Sequence, residues 1–157
     1  MSSDAGEIVN LAQRYCEVIE TCSEERSQWL REIADVLPRL HAAITSLDGR
    51  AYEEHVPFGA DLDARFALYG RLRDLLGDRD GYWLEFDRMG DTNAMTGSLA
   101  DDLTDIYCEL KQGLRLVDEH PDRAVQGWLS GFEFHWGRHL TDAERHMATL
   151  ASLDRLG

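Results

Sequence analysis

Four carboxylates, Asp101, Asp102, Asp105 and Glu109, interrupt the stretch SLADDLTDIYCELKQGL that runs from Ser98 to Leu114. Further on, FEFHWGRH places His135 and His139 four residues apart. On a helix that spacing points two imidazoles the same way, as two metal ligands require. A third constellation is EVIE followed by EIAD, with Glu17 and Glu20 one turn apart and Glu32 and Asp35 likewise. Carboxylates so spaced on two antiparallel helices can hold the hard cations that accompany a triphosphate. This pattern resembles the magnesium motif of all-α nucleotide pyrophosphatases, although the gap is short and no downstream lysine or asparagine completes it. A solvated helix face is the simpler account of those four acids.

The acids of residues 98–114 have a partly local explanation. Leu99, Leu103, Ile106, Leu110, Leu114 and Val117 form an apolar ladder at helical spacing. The four acids fall on one arc beside it, and Lys111 lies elsewhere. Ser98 followed by Asp101 resembles a capping box. Asp101 and Asp102 suit the positive end of the helix, at about 0.3–1 kcal/mol each. Asp105 and Glu109 lie beyond that turn and repel one another, so water, an arginine, a histidine or a metal must compensate them. The expectation is that the arc is the wet edge of a structural helix. If the last helix packs antiparallel to this one, His135 and His139 face the acids. Hydrogen bonds to carboxylates should then raise the histidine pKa values against the effect of burial. The sharper alternative is a metal site of Asp102, Asp105, Glu109, His135 and His139; the simpler reading needs no cofactor.

The elements that must position these residues follow from apolar periodicity and its breaks. A first helix is expected from Asp4 to Cys22, carrying Ile8, Leu11, Tyr15, Val18 and Ile19. A second, opened by Ser23, carries Trp29, Ile33, Val36, Leu37, Leu40 and Ile44; Pro38 should kink or split it. Residues 49–60 read as a loop in which Glu53, Glu54 and His55 face solvent. A third helix sets Leu62, Phe66, Tyr69, Leu72 and Leu76 on one face and stops at Gly77. Residues 78–97 read as a packed, irregular, Gly- and aromatic-rich segment, although Tyr82, Leu84 and Phe86 also fit a strand. A calcium loop there fails, because Gly81 in the sixth position puts Leu76 in the first. The last helix should run from Pro121 to about Leu150, bent near Thr141, with Gly127 and Gly131 admitting a close neighbour near Gly113. Trp29, Trp83, Trp128 and Trp136 read as core. The fold class is therefore all-α, a single-domain bundle of about five helices over 1–157 with one irregular segment between helices 3 and 4.

Composition bounds the function. The 157 residues are 43% hydrophobic and 29% charged, which is ordinary globular composition. Sixteen basic against thirty acidic residues give a net charge of −14, which argues against nucleic acid and anionic membranes and favours a basic protein partner. Cys16, Cys22 and Cys108 form no CxxC and read as reduced thiols. No leader segment or membrane-length apolar run is visible, so a cytoplasmic location is expected. No P-loop, nucleophile elbow or Rossmann glycine pattern occurs.

YWLEFD, SLADDLTDIYCELKQGL and FEFHWGRHLTDAERHM together resemble the bacterial domain-of-unknown-function 5063 family, whose members carry SLADDLADIYRDLKRGL and a later HWGxH. EFDRMGD departs from that family's FDP. The resemblance implies a helical fold and a bacterial origin and carries over no activity. It marks Asp101, Asp102, Asp105, His135, Trp136, Gly137 and His139 as matching positions. The candidate binding cluster is thus Asp101, Asp102, Asp105, Glu109, His135, Trp136 and His139. The expected function is a non-catalytic protein-binding module, an adaptor or immunity-type partner; the alternative is a metal-dependent hydrolase.

Overall fold

Apolar stripes at helical spacing need partners, and in this chain they find them around one central helix. The computed structural model describes residues 3–22, 25–47, 61–84 and 96–156. Helices α1 (Ser3–Thr21) and α2 (Arg26–Thr45) run antiparallel. The Trp29 indole donates to the Val18 carbonyl at 2.9 Å, and Arg14 on α1 reaches Asp35 on α2 at 3.2 Å. Helix α3 spans Leu62–Leu76, α4 Leu99–Leu114, α5 Pro121–Gly131 and α6 Gly137–Ser152. Helix α4 touches α1, α3, α5 and α6, and Leu99, Leu103, Ile106 and Leu110 on its ladder are fully buried. The all-α bundle is thus as expected. Among the described residues no helix is long and apolar enough to cross a membrane, and all three cysteines are free thiols.

Several local expectations are corrected. Pro38 does not split the second helix, which runs through it from Arg26 to Thr45. A proline there costs about 3 kcal/mol, and the fully buried Val36, Leu37 and Leu40 on either side hold the helix together across it. On α3, Leu62 and Phe66 are exposed, whereas Leu68, Leu72 and Leu76 are buried. The stripe that meets α4 is the one at four-residue steps ending at Leu76. Gly77 stops this helix with a positive φ of 57°, a conformation that glycine adopts without steric cost.

The segment after α3 follows the strand alternative at its start. Strand β1 (Gly81–Trp83) pairs antiparallel with β2 (Thr96–Ser98), Tyr82 opposite Gly97. The Tyr82 ring lies where a Cβ at position 97 would be, so glycine lets β2 close over it. Trp83, expected in the core, is exposed. Phe86, Met89 and Gly90, the loop with Glu53, Glu54 and His55, and the Ser23 cap lie outside the described residues.

The last helix is irregular earlier than expected. Between α5 and α6, residues Phe132–Trp136 form a π-helical turn, and the Gly137 amide donates to the Phe132 carbonyl five residues back. A Cβ at position 137 would collide with that carbonyl. Thr141, the expected bend, sits in regular helix with its hydroxyl bonded to the Gly137 carbonyl at 3.0 Å. Gly113 admits the Trp128 indole, a side chain where a backbone was expected.

Candidate functional site

Ser98 ends β2 and caps α4, its hydroxyl oxygen accepting from the Asp101 amide at 3.2 Å. The reciprocal half of a capping box is absent. Asp80, at the end of α3's 3₁₀ extension, takes that place: its carboxylate accepts from the Ser98 hydroxyl at 2.9 Å and the Ala100 amide at 2.7 Å. This fixes where α4 begins, and so which way each of its acids points.

The arc of acids is a wet edge only at Asp101 and Glu109, which are partly exposed. Asp102 and Asp105 are only 3% and 5% exposed. They face α6, which runs antiparallel to α4, and His139 bridges them. Its Nδ1 lies 2.7 Å from Asp102 Oδ1 and its Nε2 2.9 Å from Asp105 Oδ2. The second oxygen of each carboxylate has its own donor. The Tyr82 hydroxyl donates to Asp102 Oδ2. The Arg65 guanidinium donates to Asp105 Oδ1, with Nε at 2.8 Å, and also to Asp101 Oδ1 at 3.0 Å. A chain of polar contacts therefore links β1, α6, α4 and α3 in the order Tyr82, Asp102, His139, Asp105, Arg65, Asp101.

The charges settle accordingly. Burial alone would lower the His139 pKa, but its hydrogen bonds to both carboxylates outweigh that and raise it to about 9. Burial likewise opposes ionisation of Asp105, yet bonds from His139 and Arg65 hold it below the usual carboxylate range. Asp102 has no arginine, and there burial prevails and raises the pKa.

The remaining candidates divide. His135, on the π turn, is half exposed; its Nε2 lies 3.9 Å from Asp105 Oδ2 and its Nδ1 3.3 Å from Glu109 Oε1. Its ring centroid is 5.1 Å from that of His139. Trp136 is not brought to the cluster: it is fully buried and donates to the Trp128 carbonyl at 2.9 Å. Among the described residues two groupings have metal-ligand spacing, Asp105 with His135 and His139, and Asp101 with Asp102 and His139. The pyrophosphatase-like acids are exposed or half-buried and already paired in part. Asp35 meets Arg14 and Arg39, both at 3.2 Å, and Glu20 meets Lys111 at 2.8 Å.

Above Asp102 and His139 opens a cleft of about 500 Å³, lined by Tyr82, Gly97, Asp101, Arg138, Asp142 and Arg145 among others. Arg65, Tyr82 and Asp80 were missed by sequence reasoning. Arg65 alone had a local signal, the uncompensated acid pair Asp105 and Glu109, which demanded a donor without naming it.

Known proteins supply the fold and the family. The crystal structure of protein BF1032 from Bacteroides fragilis is similar over 95% of this chain and 92% of that one, with a TM-score of 0.77 and 21% identity. No match was found among curated proteins. The family model described as "Domain of unknown function (DUF5063)" matches residues 1–152. That match covers nearly the whole chain, including the acids of α4 and both histidines of the seam, and the chain belongs to the DUF5063 family.

Proposed function

We propose that this protein is a non-catalytic binding module, of the adaptor or immunity type, that engages a basic protein through the face formed by the β-ladder and the cleft beside it. The observation that carries this reading is Trp83. It is 72% exposed on a strand whose neighbouring residue, Tyr82, is anchored to Asp102 and stacked on His146 at 4.8 Å. A rigidly mounted, solvent-facing tryptophan is the kind of side chain that dominates binding energy at protein interfaces. Leu153, also exposed, lines a shallow depression together with Trp83, separate from the cleft. The charge of −14 would steer a basic partner and make the encounter sensitive to salt. Beneath the cleft, both oxygens of Asp102 are engaged by Tyr82 and His139, which suits a structural clamp better than a general base.

A photo-crosslinking residue next to Trp83 tests this in the native host. The expected result is a stoichiometric protein partner that is lost with Trp83→Ala and weakened by added salt. Recovery of no such partner, or of one indifferent to Trp83→Ala, overturns the reading.

A metal-dependent hydrolase is the second reading, favoured by the meeting of His135, His139 and Asp105 at one point. Its nucleotide-pyrophosphatase form loses support, because Glu20 and Asp35 are held by basic side chains. A nucleotide hydrolysis screen with magnesium tests that form directly, and turnover abolished by Glu32→Gln would restore it.

A further inference from the structure

On the seam between α4 and α6 three side chains converge, and one of them, His139, also lines the cleft. Asp105 Oδ2, His135 Nε2 and His139 Nε2 are the relevant atoms, and the three residues each offer one ligand atom within 4.8 Å of the others. The separations from Asp105 Oδ2 are 2.9 Å to His139 and 3.9 Å to His135. Ligands held roughly 2.0–2.2 Å from a tetrahedral ion stand about 3.4 Å apart, and the observed pair of distances straddles that value.

Each of the three also has its other atom held by a separate group. His139 Nδ1 faces Asp102, and Asp102 is itself held by Tyr82. Asp105 Oδ1 is held by Arg65. His135 Nδ1 faces Glu109. Outer partners of this kind orient metal ligands and fix which imidazole nitrogen is presented. The backbone contributes a further observation. His135 is carried on the π turn of residues 132–136, and such turns are rare and concentrate at functional sites. His135 is half exposed, so the group of three is reachable from solvent.

We propose that Asp105, His135 and His139 bind one divalent first-row transition-metal ion, with Asp102 as the positioning residue for His139. Two imidazoles and one carboxylate suit zinc, cobalt or iron(II), whereas magnesium and calcium prefer all-oxygen sets. The alternative grouping of Asp101, Asp102 and His139 offers a single imidazole, and its Asp102 already serves Tyr82.

The test is titration of the full-length, chelator-stripped protein with Co²⁺, followed by visible absorption, with Zn²⁺ competition and a thermal melt. The expected result is one equivalent bound, displaced by Zn²⁺, with a rise in melting temperature as for any ligand of the native state. His135→Ala and His135→Gln, both at a half-exposed position, should retain the fold by circular dichroism and lose the cobalt spectrum. Asp102→Asn should weaken binding about 10–100-fold while preserving the spectrum's shape. Failure to take up one equivalent, or uptake that survives both His135 variants, overturns the proposal. Neither outcome bears on the partner assay at Trp83, so the two readings fail separately.

Discussion

At the scale of single residues, His139 is the pivot. It stands between two buried carboxylates, and removing it leaves both without their shared donor. His139→Ala should destabilise the metal-free protein by about 3–5 kcal/mol, as expected when one member of a buried charged set is deleted; urea denaturation at pH 7 measures this. The sign of the pH effect follows from the raised pKa. The group binds its proton more tightly when folded, so its contribution is complete below the unfolded value near 6.5 and is lost as pH rises through about 9. Wild-type stability should therefore fall between pH 7 and 10, by an amount on the order of a few kcal/mol, and His139→Ala should remove that slope. An urea midpoint flat across this range would show that the imidazole is neutral in the folded protein. The need for a partner was legible in the repelling pair Asp105 and Glu109. The identity of the partner was not, because Arg65 lies 40 positions from Asp105.

At the scale of elements, the junction of α5 and α6 is the informative one. Alanine normally favours a helix over glycine by about 1 kcal/mol. At Gly137 the sign should reverse, because the added Cβ meets the Phe132 carbonyl. Gly137→Ala should either lower stability or convert the wide turn to regular helix, which re-phases the preceding residues by about 100°. The second route separates His135 from His139, so cobalt uptake should then fall with a change at a residue that is no ligand. Gly113→Ala tests the other contact, where the Trp128 indole fills the space of the missing side chain; a loss of about 1–3 kcal/mol is expected by denaturant melt. The helices themselves were readable because their stripes repeat every three or four residues. The π turn was not, since one extra residue in a turn leaves the composition unchanged. The apolar face of α3 was misread at Leu62 and Phe66 for a related reason. Periodicity shows which residues share a face, and the neighbour decides how far along the helix that face is covered.

At the scale of the whole molecule, charge and the β-ladder set the outward behaviour. Trp83→Ala should change stability by less than about 0.5 kcal/mol, as for other exposed positions, while abolishing partner capture. Equal loss of folding in that variant would place Trp83 in the scaffold. Association should weaken as salt rises from about 0.05 to 0.5 M, because screening shortens the reach of the −14 charge. What the amino-acid order determined by itself was local: five helical rods, the Ser98 cap, the Gly77 stop, and rows of acids and imidazoles on two of the rods. Tertiary structure decided that Asp102 and Asp105 are buried, that Arg65 and Tyr82 complete their hydrogen bonding, and that Trp83 faces outward. The physical reason is range. Helical phase is set by contacts three and four residues apart, whereas burial and charge pairing depend on groups 20 to 40 positions away, which meet only when the rods assemble.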